Sequence, residues 1–164
     1  MGVSLLVMPL RTWLTGSYAT TWEGSGVRAA PRRILTDEEA TAYVARVQRA
    51  VGAAWDEDVP AVKAVAMSAE GFAQASAWAG HVGARHLTDP LQAFWLPVDF
   101  DAPREVPDPR GGDEPLTALS APALAREIRA VVRLREGAVE PSVRALLDVA
   151  ALAAERRVPV VLEG

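Results

Sequence analysis

The amino-acid sequence predicts an α/β (or α+β) fold: a single small sheet of three to four strands with about four helices packed on it. Three observations carry this expectation. Short apolar runs lie at residues 3–8, 93–98 and 158–162, the form taken by strands buried on both faces. Segments with helical spacing and recognisable starts lie between them, beginning at Thr36, Ser68, Ser120 and Pro141. Helices running into apolar strands give the rhythm of one sheet covered by helices. At 164 residues the chain can bury one core, so residues 1–164 are read as a single globular domain.

The opening strand holds Val3, Leu5, Leu6, Val7 and Met8, is interrupted only by Ser4, and stops at Pro9. Residues 10–35 follow as a long irregular connection with short strand character around residues 18–22. Connections of this length in a compact domain usually carry function. The first helix is expected over residues 37–54. Thr36 and Glu39 match a capping box, and Asp37 and Glu38 suit the positive end of the helix. Ala40, Tyr43, Val44, Val47, Val51 and Ala54 then recur at helical spacing.

Residues 59–67 fit either a short helix or a strand, and their alanine content tilts the reading towards helix. Residues 68–85 read as a helix of mostly small residues, with Phe72, Trp78 and Val82 as its bulky contacts. Residues 92–100 read as a strand centred on Ala93, Phe94, Trp95 and Leu96. The five prolines from Pro97 to Pro115 and the Gly111-Gly112 pair make residues 99–115 an acidic Pro/Gly-rich loop. Ser120 is the expected cap of the next helix, with Pro122 in its first turn, Leu119 stapled to Leu124, and Gly137 at its end. Pro141 opens a last helix, and residues 158–162 form the closing strand.

Composition removes several chemistries. Zero cysteines exclude disulfides, thiolate metal sites and cysteine nucleophiles, and fit a cytoplasmic location. No run approaches the roughly 20 apolar residues that span a bilayer, and no secretory signal is read at the N-terminus, so no membrane association is expected. The net charge of −4 sits in one place. Residues 99–115 hold six acids (Asp99, Asp101, Glu105, Asp108, Asp113, Glu114) against Arg104 and Arg110, and the remainder is balanced. A balanced body with one acidic loop argues against nucleic-acid binding, which needs a concentrated basic surface.

No cofactor and no metal are expected. Gly24-Ser25-Gly26 lacks the strand–turn–helix setting and third glycine of a phosphate loop. His81 and His86 lie five apart, which does not align two ligands on a helix. No G-x-S-x-G elbow is present, so no catalytic residue is assigned. Arg126, Arg129 and Arg133 fall on one helical face, either as a solvated stripe or as a complement to the acidic loop that suggests a homodimer.

The candidate binding residues are Trp13, Tyr18, Trp22, Glu23, Asp99 and Asp101. Indole and phenol rings among hydroxyls, just after a strand end, are what interfaces and clefts use. A competing expectation has Trp13 and Trp22 folding back over the core as a cap. Two functions follow. The first is a small binding protein with a protein partner, of accessory or immunity type, using the aromatic and acidic loops. The second is a small enzyme or ligand-binding domain in which His81 acts as base with Asp99 or Asp101 beside an aromatic pocket.

Overall fold

A computed structural model describes residues 2–18, 32–87, 93–134 and 140–163. Along the chain the elements are β1 (Gly2–Val7), α1 (Leu10–Thr15), α2 (Asp37–Val51), β2 (Lys63–Ser68), α3 (Ala69–Val82), β3 (Ala93–Leu96), β4 (Arg104–Val106), β5 (Leu116–Ser120), α4 (Ala121–Leu134), α5 (Pro141–Arg156) and β6 (Val160–Glu163).

The six strands form one mixed sheet in the order β2-β1-β6-β3-β5-β4. Only β3 and β5 run parallel; every other neighbouring pair is antiparallel. The expected sheet of three to four strands with about four helices is therefore corrected: the described residues hold six strands and five helices in an α+β arrangement. The three strands foreseen from apolar runs lie side by side in its centre, as β1, β6 and β3. The three not foreseen are β2, β4 and β5, two of which are the edges.

Alternation along the strands splits the core into two layers. Val3, Leu5, Val7, Met67, Trp95, Leu119, Val160 and Leu162 point to one face and meet Phe72 of α3, Leu124 and Ile128 of α4, and Leu146 and Ala150 of α5. Leu6, Ala64, Phe94, Leu96, Ala118 and Val161 point to the other, under Leu10, Trp13 and Leu14 of α1 and Tyr43, Val44 and Val47 of α2. Helices on both faces explain why β1 reads as a continuous apolar run.

Local signals account for most helix starts. Both halves of the capping box are made: the Glu39 amide donates to the Thr36 hydroxyl at 3.3 Å, and the Thr36 amide to the Glu39 carboxylate at 2.9 Å. That helix ends at Val51, with Gly52 left-handed (φ 70°), three residues short of the expectation. The Gly71 amide donates to the Ser68 hydroxyl and the Ala123 amide to the Ser120 hydroxyl, so both serines cap as read. Residues 63–68 are a strand and not the helix that alanine content favoured. Residues 104–106, placed in the acidic loop, are also a strand, and residues 10–15 of the irregular connection are helix. No helix among the described residues is long and apolar enough to cross a membrane.

Candidate functional site

Trp13 sits on α1, and its ring is 6 % exposed within the α1–α2 layer. Its indole N–H donates to the Glu163 carboxylate at 2.9 Å, and the Tyr18 hydroxyl approaches the same oxygen at 3.4 Å. Burial, and then the Glu163 charge, push the Tyr18 phenol up to about 12. The expected display of Trp13 is thereby corrected: the ring closes the end of the core over β6, because its large apolar area fills that layer and Glu163 satisfies its one donor. Trp22 and Glu23 lie outside the described residues.

The start of α1 is held from a distance. Pro9 offers no side-chain cap, and the carboxylate of Glu57 takes the role, accepting from the amides of Leu10 (3.2 Å) and Arg11 (2.7 Å) and from the Trp55 indole (2.8 Å). Burial raises the Glu57 pKa while these donors hold it down, and burial wins. Beside α1 an open cleft of about 400 Å³ is lined by Arg11, Thr12, Thr15, Ser17, Asp37 and Thr41. Its charged groups already have partners, Arg11 with Asp58 at 2.8 Å and Asp37 with Arg33 at 3.8 Å. Thr15 and Thr41 turn their hydroxyls to the backbone carbonyls of Arg11 and Asp37. Little lining chemistry is left to recognise a ligand.

The residues proposed for catalysis are not brought together. His81 is exposed on α3 and has no bond to either acid among the described residues. Asp99 makes a two-pronged pair with Arg126, both contacts at 2.7 Å, which holds its carboxyl below the usual range. Of the arginine stripe, that pair engages Arg126 with the acidic segment of its own chain.

The histidine that reaches this segment is His86, 1 % exposed. Its Nδ1 accepts from the Ser120 amide at 2.9 Å, so Nε2 carries the hydrogen and donates to the Asp101 carbonyl at 2.9 Å. The His86 carbonyl accepts from the Trp95 indole at 2.8 Å, and its amide and that of Arg85 donate to Glu127. The Ser120 hydroxyl donates to the Val98 carbonyl. Both ring nitrogens are engaged by backbone, so neither is available for proton transfer or a metal. His86 is a clip joining four chain segments where the parallel strands β3 and β5 end. No group of three or more His, Asp or Glu side chains among the described residues is arranged to hold a metal ion.

The two edges of the sheet differ more than any pocket does. β4 is three residues long, lies between Pro103 and Pro107, and exposes Arg104 and Glu105. Proline and charge on a short strand are standard means of blocking further pairing. β2 is six residues, Lys-Ala-Val-Ala-Met-Ser, with its single charge at the first position and no proline. The Met8 amide donates to the Pro159 carbonyl, so Met8 turns towards β6 and, by alternation, Val7, Leu5 and Val3 turn towards β2. Their partners Lys63, Val65 and Met67 turn inward, leaving the N–H and C=O groups of Ala64 and Ala66 on the outer side, where Ala64 is covered (1 % exposed) and Ala66 is exposed. Among the described residues no strand pairs with this side. Sequence reasoning missed this edge, although Val62, Val65 and the Ser68 cap were the available strand signals.

Comparison with known proteins finds no match among family models, curated proteins or solved structures.

Proposed function

We propose that this chain works by binding a protein partner, and that the partner docks along the outer side of β2. The observation that supports this is the open edge itself. Ala66 is exposed, has a small side chain and turns its backbone donor and acceptor outwards, in a strand with no proline and with its one charge, Lys63, three residues away. An added strand would meet these groups directly, and the pockets between alternate side chains would supply selectivity. An accessory role in the cytoplasm fits a chain without cysteines.

A tagged native chain and its Ala66→Pro variant, each exposed to extract of the source cells, test the reading. Proline at Ala66 removes an outward N–H and leaves the β1 pairing in place, so the variant keeps its circular dichroism and melting profile. The expected result is a protein captured by the native chain and lost with Ala66→Pro. An identical captured set from both baits overturns the proposal.

A further inference from the structure

We infer that two copies of this chain associate through the outward face of α4, each seating its arginines against the acidic outer margin of the other's sheet. The surface is distinct from the β2 edge. On α4 a row of charge lacks its counterpart among the described residues. Arg126, Arg129 and Arg133 fall at three- and four-residue spacing on one face, and all are exposed. Arg126 is answered by Asp99. Arg129 and Arg133 make no ion pair or hydrogen bond among the described residues. The charged residues three before and four after Arg129 are both arginines, and like charges at these spacings destabilise a helix. An opposite charge supplied from outside removes that cost.

That opposite charge stands at the margin of the same side of the sheet. β4 pairs with β5 so that Glu105 lies opposite Thr117. Val106 and Ala118 belong to the α1–α2 layer and Leu119 to the layer under α4, so by alternation Glu105 and Thr117 turn to the α4 side. Glu105 is exposed there and Thr117 only half-buried, whereas Leu119 is fully buried beneath the helices. α4 thus stops short of the outer margin and leaves a strip of sheet face open beside it. Proline and charge close the β4 edge to a further strand, but they do not cover this face. Glu105 makes no ion pair among the described residues, and its neighbour Arg104 turns to the other side and donates to the Ala102 carbonyl. One surface therefore carries both signs side by side, a basic helix and an acidic strip. A two-fold interface must be self-complementary, and this surface meets that condition. With the axis between α4 and the strip, α4 of each copy covers the strip of the other and sets Arg129 and Arg133 beside Glu105 twice over. Ala130, exposed on the same face, lets the helix lie close. Arginine suits such a contact, since its planar group is already shaped to meet a carboxylate.

Analytical ultracentrifugation of the full chain over a concentration series, in dilute buffer and with added salt, reads the outcome. The native chain is expected to sediment at twice 17.5 kDa in dilute buffer and to dissociate as salt rises from about 0.05 M to about 0.5 M. Arg129→Glu is expected to weaken the dimer by about tenfold or more, because two attractions become two repulsions. Arg129→Glu combined with Glu105→Arg is expected to restore it. Both positions are exposed, so the circular dichroism of each variant should match that of the native chain. Ala66→Pro alters a different edge and should leave the dimer intact. A native chain of single mass at every concentration in dilute buffer overturns the inference, as does an Arg129→Glu dimer as tight as the native one. A double variant no tighter than Arg129→Glu overturns the pairing with Glu105. A dimer lost with Ala66→Pro overturns the α4 face as the contact and places it at β2.

Discussion

At one end of the sheet, β3, β5 and β4 are closed off; at the other, β1 and β2 are left open. The closed end is tied by side chain to backbone, His86 to Ser120 and Asp101, Ser120 to Val98, and Glu127 to the amides of Arg85 and His86, and by the side-chain pair of Asp99 with Arg126. Its outer strand is short, charged and flanked by prolines. The outer strand of the open end has, among the described residues, only the local Ser68 cap as a side-chain tie, and its exposed residues are Lys63, Ala66 and Ser68. A parallel pair cannot be joined by a tight hairpin, so β3 and β5 need a long connection whose backbone groups must find partners. The side-chain clip supplies them. β2 follows β1 through α1 and α2 and is aligned by antiparallel pairing, and among the described residues no strand pairs with its outer side.

The largest effect expected from this contrast is at His86. His86→Ala removes the imidazole from between the Ser120 amide and the Asp101 carbonyl and leaves a cavity beside Phe100. Two backbone groups without partners and the lost packing should together cost about 3 kcal/mol. Urea unfolding of native and variant chains measures it. A loss no larger than that of an exposed substitution, within about 0.5 kcal/mol, would mean the closed end does not depend on the clip.

The sequence made the centre of the sheet legible and its margins not, for physical reasons that differ by element. β1 could be read because both its faces are covered, which demands apolar residues throughout; α2 because Thr36 and Glu39 cap it locally. α1 was hidden because its cap, Glu57, lies 47 residues from Leu10 in the chain, and a six-residue helix has no periodicity to show. β2 was hidden because the helix preference of alanine is weak, and pairing of all six residues with β1 overrides it. β4 is three residues whose only signal is their partner, β5. At the candidate site, hydroxyls around Trp13 suggested display, but the decisive group was Glu163, at the other end of the chain, which gives the buried indole a partner. An open edge leaves no mark in composition, since it is defined by which strand lacks a neighbour.

Glu57 gives the next effect and sharpens the contrast from the open side. Glu57→Ala deprives two α1 amides and the Trp55 indole of their acceptor, at a cost of about 2 kcal/mol. Its pH dependence has a definite sign. The folded-state pKa lies above the unfolded value because burial disfavours the charge, so the folded state holds the proton to higher pH. That contribution is complete below the unfolded value and is lost as pH rises through the folded one. The stability of the native chain relative to Glu57→Gln should therefore fall as pH rises through the window above the unfolded value. Paired unfolding curves from acid to neutral pH check it, and a difference that rises instead would place the dominant influence in the three donors.

Asp99 should give the smallest effect and the opposite sign. Its pair with Arg126 is well aligned but more than half exposed on both side chains, so screening leaves it worth about 0.5 kcal/mol. The Arg126 guanidinium holds the Asp99 carboxyl below its unfolded value. This contribution is present above the unfolded value and is lost as pH falls through the folded one. Stability relative to Asp99→Asn should thus shrink on acidification below that range, and added salt should shrink it at neutral pH. A larger, salt-insensitive loss would show that the Asp99–Arg126 pair shares the load carried by His86, since both fasten the segment after β3 to the start of α4. A small, screened loss would leave His86 as the group on which the closed end depends.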